Sequence, residues 1–332
     1  VNATVPTADA LRGALAGLLD GLPPKQATAA VDRLIANYRG RTPTDAPVLR
    51  DRSDVVAYAA YRMPATFEAV RAALDALADA APDFTPASHV DVGGGTGAAT
   101  WAVDATWEGP RETTVLDWAD PALALGRELA QASGSPVLKA AAWRKAVIGG
   151  GLALPTADLA TVSYVLGELT GEARRAVVAE AARTAQTVVV VEPGTPEGYL
   201  RIREARDQLL AAGLHVAAPC PHDGTCPITV GEDWCHFSAR VSRSSLHRKV
   251  KGGSLAYEDE KFSYVAATRF APEPAANRVT RRPQIRKGLV LLDLCTRDEG
   301  LRRDTVTKRH GPLYKAARDA DWGDAWPPAD AG

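Results

Sequence analysis

Residues 89–97 read HVDVGGGTG. A short apolar run leads into glycines at 93, 94, 95 and 97, and Ala98-Ala99-Thr100-Trp101 then opens a helical pattern. A strand-to-helix turn that lets a ligand approach its backbone needs glycine, because a Cβ would stand in the way. Twenty residues beyond Gly97 the run TTVLD closes on Asp117, where a carboxylate at a strand end accepts hydrogen bonds from both hydroxyls of a ribose. The two features together predict a nucleotide-like cofactor at the end of a parallel sheet.

Outward from this turn the chain alternates strand and helix. Apolar runs predict strands at His89–Val92, Thr113–Leu116, Pro136–Ala140, Leu159–Leu166 and Thr187–Val191, with helical segments between most of them and a helix over 196–213. Strands without polar alternation imply a parallel sheet covered on both faces. Leu214–Ala217 and Phe262–Thr268 read as two last strands. Upstream, Leu11, Leu15, Leu18, Leu19 and Leu22, then Val31, Leu34, Ile35 and Tyr38, mark two short helices. A Pro/Thr/Arg-rich loop over 39–52 and an N-cap at Ser53 follow, and a further helix is predicted to be interrupted at Pro64. A dinucleotide-binding domain is one reading of the glycine turn. Three features favour S-adenosylmethionine instead: Asp91 opens the motif, helices precede the first strand, and a strand pair closes the sheet. DxGxGxG with an acidic second-strand terminus resembles the class I S-adenosylmethionine-dependent methyltransferases, an α/β, Rossmann-like fold. That resemblance implies that Asp91, Gly93, Gly95, Thr96 and Gly97 line the methionine and ribose end, that Asp117 holds the ribose, and that Trp118 covers the adenine. It also implies that Ser163 lies where a methyl acceptor approaches, with Arg62 as a candidate partner for the ligand carboxylate. After the fourth strand the chain reads SYVLGE (163–168) in place of an Asn/Asp-Pro-Pro-aromatic acceptor motif. No catalytic residue is assigned; Glu168 as a general base competes with a carboxylate placed at a helix start.

The chain holds four cysteines, Cys220, Cys226, Cys235 and Cys295, and the first three lie in PCPHDGTCPITVGEDWCHF. Four thiols concentrated in this way predict one four-coordinate centre. The spacing Cys-x5-Cys-x8-Cys, then 59 residues to Cys295, is looser than the close pairs of zinc ribbons and favours a [4Fe-4S] cluster over zinc or unligated thiols. His222 and His236 read as neighbours of the thiolates. Three ligands from one loop and one from the tail would staple the tail to the main sheet.

Net charge is −1, yet residues 236–310 carry 17 Lys and Arg against 8 Asp and Glu. Such a block predicts a polyanion-binding face. Its candidate residues are Arg240, Arg243, His247, Arg248, Lys249 and Lys251, with a second patch of Arg281, Arg282, Arg286 and Lys287; Phe237 and Tyr257 are placed to stack on bases. Hydrophobic residues make up 46% of the chain and charged residues 24%, as in ordinary globular proteins. No apolar run approaches the roughly 18 residues of a membrane span, and the opening VNATVPTADA has no basic leader. The expectation is a cytoplasmic, bacterial protein without membrane association, monomeric when free, with an organelle matrix as the alternative.

The segments PCPHDGTCP, DWCHFSARVSRSSLHRKVKGGSLAYEDEKFSY, LDLC and the closing YKAARDADWGDAW resemble the small-ribosomal-subunit assembly factors of the methyltransferase-like family over about residues 50–327. The resemblance implies S-adenosylmethionine binding, a [4Fe-4S] cluster on all four cysteines, and association with small-subunit rRNA in immature subunits. The expected organisation is a helical region (1–80), a methyltransferase-like domain (81–270) with a cysteine-rich insertion (218–260), and a small β-rich basic extension (271–332) docked through Cys295. An active rRNA methyltransferase and a small-molecule methyltransferase with structural zinc are the competing functions.

Overall fold

The computed structural model describes residues 7–38, 51–242, 256–298 and 300–328. Helices α1 (Thr7–Asp20), α2 (Pro24–Tyr38) and α3 (Arg52–Ala80) precede the first strand. The N-cap of α3 is Asp51, whose carboxylate accepts the Asp54 N–H at 3.0 Å, two residues before the Ser53 expected from the sequence. The helix continues through Pro64. A mid-helix proline costs about 3 kcal/mol, but Val56, Met63, Phe67 and Leu74 on either side are buried, at roughly 1.5–3 kcal/mol each. Packing against α1 and α2 therefore outweighs the missing hydrogen bond. The loop expected over 39–52 lies largely outside the described residues.

Then come β1 (Ser88–Val92), α4 (Ala98–Thr106), β2 (Glu112–Asp117), α5 (Asp120–Ala132), α6 (Pro136–Ala140), β3 (Ala142–Lys145), β4 (Ala157–Ser163), α7 (Gly171–Thr184), β5 (Ala185–Pro193), α8 (Pro196–Ala211), β6 (His215–Ala218), β7 (Phe237–Ser242) and β8 (Tyr257–Thr268). The strands lie in the order β3-β2-β1-β4-β5-β8-β6. The first five are parallel, and β8 enters antiparallel between β5 and β6. This is the class I methyltransferase fold. Strand β7 pairs with the first half of β8, Phe237 opposite Phe262 and Ser242 opposite Tyr257. Two apolar layers sandwich the sheet, one built with α3, α4 and α5, the other with α7 and α8.

One predicted strand is wrong. Residues Pro136–Ala140 form the short helix α6, capped by Ser135, whose hydroxyl accepts the Leu138 N–H at 3.2 Å. A five-residue apolar run with a proline at its start fits either state by pattern alone; the third strand follows it, with Trp143 opposite Val115.

A second, antiparallel sheet comprises β9 (Asn277–Val279), β10 (Gln284–Arg286), β11 (Leu289–Thr296), β12 (Gly300–Thr307) and β13 (Ala325–Trp326), with helix α9 (Pro312–Asp319) before the last strand. Strands β9 and β10 share one edge of β11 and β12 runs along the other. Val290, Leu292 and Leu294 pack with Val279, Val306, Ala317 and Trp326 into a small core. By the period of two along a strand, Cys295 stands on the opposite face from that core.

Candidate functional site

The glycine turn does two jobs. A Cβ at Gly94 would meet the Asp91 carboxyl and Val115 at 2.7 Å, and one at Gly97 (φ +86°) would meet Trp143 at 2.6 Å. These glycines are filled around by the protein's own side chains. At Gly95 (φ +53°) the nearest atom to a Cβ would be Asp117 Oδ2 at 3.8 Å, so this backbone alone in the turn faces open room beside the carboxylate. Asp117 accepts the Gly95 N–H at 2.9 Å on one oxygen and the Ala119 N–H at 2.8 Å on the other. Its carboxylate thus stands fixed at the mouth of the turn, with lone pairs left for further donors.

Asp91 is fully buried and accepts the hydroxyls of Thr100 and Thr161, each at 2.9 Å. It ties β1 to α4 and β4, and so shapes the turn from within. Desolvation raises its carboxyl to about 6, against the opposing pull of the two hydroxyls. Thr96 donates to Met63 Sδ at 3.3 Å. Gly93 follows β1 directly, its Cβ position blocked by Val165. Trp118 is 63% exposed just beyond Asp117, and Ser163 is buried at the end of β4.

Arg62, a candidate for the ligand carboxylate, is already engaged: it donates to Glu260 at 2.9 and 3.5 Å. Tyr164 donates its hydroxyl to the same carboxylate at 3.2 Å from a left-handed backbone, φ 57°. Burial, then Glu260, push the Tyr164 phenol well above its ordinary range. At the next strand end, buried Glu192 accepts the Leu166 N–H at 3.0 Å and Arg201 Nε at 2.6 Å. Glu168 lies in the short 3₁₀ turn that Glu192 holds in place, its carboxyl raised by desolvation, Asp117 and Glu192.

The four cysteines come together. Cys220 follows β6, Cys226 lies in the next loop, Cys235 precedes β7, and Cys295 stands on β11 opposite Arg278. All four line one cavity of about 40 Å³, together with Tyr199, Arg206, His222, Tyr264 and Arg278 among others. Among the described residues no group of three or more His, Cys, Asp or Glu is arranged to hold a metal ion. The thiols surround a space with room for more than one atom. Burial raises Cys220 and Cys235, and burial followed by Cys220 and Cys226 pushes Cys295 up to about 12. His222 lines the cavity, whereas His236 stacks on Trp234 at 5.0 Å and meets Trp322 edge-on at 4.9 Å.

The candidate basic face is partly self-neutralised. Arg240 lies over the Tyr257 ring at 4.2 Å and reaches Asp259 at 3.5 Å; Arg282 reaches the same aspartate at 3.9 Å. The two patches therefore meet at Asp259. Arg281 is bound to Asp233 and to the Trp234 carbonyl, while Arg286 and Lys287 are exposed at the turn between β10 and β11. Phe237 does not stack on bases: it is 3% exposed, packed with Phe262 and Tyr264. Arg243, His247, Arg248, Lys249 and Lys251 lie outside the described residues.

Sequence reasoning missed Tyr199, Arg206 and Arg278. Tyr199, Ile202, Arg203 and Arg206 recur at i, i+3, i+4 and i+7, the spacing of one helix face, but mixed polarity hides the stripe. Arg278 has no local signal; its place depends on how β9 docks.

The family described as "Mitochondrial small ribosomal subunit Rsm22" matches residues 52–327. The human "Ribosome assembly protein METTL17, mitochondrial" is 30% identical over 294 residues, covering 81% of this chain and 62% of that protein. The fission yeast (Schizosaccharomyces pombe) "Rsm22-cox11 tandem protein 2, mitochondrial" is 30% identical over 182 residues, 42% of this chain and 24% of that protein. The chain thus spans less than two thirds of either relative. A solved SAM-dependent methyltransferase from Aquifex aeolicus aligns with 55% of this chain and 82% of its own at 16% identity and a TM-score of 0.35, too loose a likeness to bear on function.

Proposed function

The chain belongs to the Rsm22 family of mitochondrial small ribosomal subunit proteins, and on that premise we propose that it is an assembly factor of the small ribosomal subunit that binds S-adenosylmethionine, carries a [4Fe-4S] cluster and contacts rRNA. The observation that carries this reading is the convergence of Cys220, Cys226 and Cys235 with Cys295 of the second sheet on one cavity. Thiols held protonated by burial are poor neighbours for one another as anions; a bound cationic centre supplies the missing countercharge. The Cys-x5-Cys-x8-Cys spacing, looser than the close pairs of zinc ribbons, is the ground for preferring a cluster to a single zinc ion. When bound, the cluster supplies a cross-link between residues 218–260 and the extension 271–332, and the protein's own residues do the rest. Arg281 pairs with Asp233, and Arg282 comes within 3.9 Å of Asp259, so the basic extension meets the domain over 81–270 at these two aspartates.

At the glycine turn, the Asp117 carboxylate is positioned for ribose hydroxyls, the Gly95 backbone leaves the approach open, and Trp118 is exposed beside it for the adenine; Gly93 and Gly97, backed by Val165 and Trp143, hold the shape of the turn around Thr96, and Ser163 borders it. Helices α1 and α3 pack on this domain, with α2 against α3. The exposed Arg286 and Lys287, with Arg240 and Arg282, are the described part of the rRNA-binding face. The mitochondrial relatives favour an organelle matrix over the bacterial cytoplasm expected from the sequence; no helix of the described residues is long and apolar enough to cross a membrane.

Anaerobic purification with iron and sulfide analysis, and RNA binding across a salt series, test this reading. The expected result is a four-iron chain whose affinity for small-subunit rRNA falls steeply with salt, with a slope reduced by about 1 in Arg282→Ala. A colourless, zinc-loaded protein with salt-insensitive RNA binding would refute it. Label passing from methyl-labelled S-adenosylmethionine to immature subunits would make the protein an enzyme as well.

A further inference from the structure

Two arginines are buried in the wall of the cysteine cavity without a buried carboxylate to answer them. Arg206, on α8, is 3% exposed, and Arg278, on β9, is 5% exposed; both line the cavity with the four thiols. Arg206 Nη2 donates to the carbonyls of His222 and Gly224 at 3.0 and 2.6 Å. Its carboxylate contact is Asp207 at 3.3 Å, which is 66% exposed and screened by solvent. Its Nε has no partner. Arg278 donates to the carbonyls of Pro219 and Gly323, both at 3.0 Å, and makes no ion pair among the described residues.

A third group points the same way. The Tyr199 hydroxyl lies 3.4 Å from Cys226 Sγ and accepts from Arg203 Nη1 at 3.3 Å. Arg203 also donates to the Ile228 carbonyl at 2.8 Å and is held there. With its oxygen taken by a cation, the phenol has its proton free for the sulfur.

A buried guanidinium without a countercharge is unfavourable, because the charge has lost its hydration and gained no opposite charge in return. Carbonyl hydrogen bonds satisfy its donors but not its charge. Two such charges facing one cavity make that cavity a receptor for a dianion. Four thiolates around a divalent zinc ion or around an oxidised [4Fe-4S] core carry a net charge of −2, equal and opposite to the pair of arginines. We propose that Arg206 and Arg278 are the built-in countercharge of the tetrathiolate centre, and that with the Tyr199 hydrogen bond to Cys226 they stabilise its more negative, reduced state. This rests on the reading that the four cysteines hold a cluster. Positive charge and hydrogen bonds at the sulfurs raise a cluster's reduction potential. These are positioning residues, because they act on the centre through the thiolates.

The test uses the full chain, reconstituted anaerobically with iron and sulfide, as wild type, Arg206→Met, Arg206→Lys, Tyr199→Phe and, as an exposed control, Arg286→Met. Iron and sulfide content, circular dichroism and a redox titration followed by electron paramagnetic resonance are read for each. Expected are wild-type iron content and fold in Tyr199→Phe and Arg206→Met with a reduction potential more negative than wild type. Arg206→Lys, which keeps the charge, and Arg286→Met should stay at the wild-type potential. An unchanged potential in both Arg206→Met and Tyr199→Phe overturns the proposal. If Arg206→Met loses its iron, retention in Arg206→Lys supports the countercharge. Loss in both with unfolding shows a brace for the loop carbonyls and overturns it. Wild type that takes up no iron sinks the cluster reading separately. The countercharge is then tested with zinc alone, where Arg206→Met should bind at least about tenfold more weakly in a chelator competition, and equal affinity overturns it.

Discussion

Asp91 shows how one residue type serves structure where its motif suggests a ligand. Its position before the glycines was legible in the sequence; its burial against Thr100 and Thr161 was not, because both hydroxyls come from other elements. The consequence is a carboxylate whose folded-state value of about 6 stands above the ordinary 3.8. A raised value means the folded chain holds the proton more tightly. The stability gained from protonation is therefore fully present below about 3.8 and is lost as pH rises through about 6. Asp91→Asn keeps the shape and removes the charge. Urea unfolding across pH should show the variant gaining on wild type by up to about 3 kcal/mol between pH 3.5 and 7; a constant difference would contradict a buried, ionising Asp91. The arginines followed the same rule at a distance. Arg62 was legible as a functional candidate, but its pairing with Glu260 spans 198 positions in the chain, and no local pattern encodes such a pair.

Among the elements, the strand-turn-helix around β1 was legible because its glycines are required by what surrounds them. Trp143 explains one of them and a further glycine in α5. Its indole fills the space beside Gly97 and beside Gly126 of α5, so that β3, α5 and the turn close on one ring. Gly126→Ala should destabilise the protein by about 1–3 kcal/mol through overpacking, and adding Trp143→Leu should recover part of that loss; thermal unfolding of the single and double variants checks both. Additive effects would mean that the ring and the methyl do not meet. The same physics misplaced one element: Pro136–Ala140 is apolar enough for a strand, and only the Ser135 cap and its seat beside β2 make it a helix. Pro64 erred the other way, since a breaker rule gave way to burial along α3.

At the scale of the molecule, the cysteine cavity is the seam between two sheets. Around it, Arg278 to Pro219, Arg281 to Asp233 and the stack of Trp234, His236 and Trp322 join residues of the two sheets and their loops. Cys295→Ser, which removes the second sheet's thiol from the cavity, should therefore loosen that sheet selectively. Hydrogen exchange should rise at β9 and β13, while β1, β4 and β5 keep their protection; uniform or unchanged exchange would show that the thiols carry no part of the docking. The sequence by itself determined the alternating α/β pattern, the glycine turn with Asp117 at the following strand end, and the set of four thiols, because each is written in local spacing or in composition. Tertiary structure alone decided that β8 enters antiparallel beside β5, that Arg62 belongs to Glu260, that Phe237 is core, and that two buried arginines face the thiols. Those outcomes depend on which surfaces meet after the chain has folded, and a contact between residues tens to hundreds of positions apart leaves no period or spacing in the chain to read.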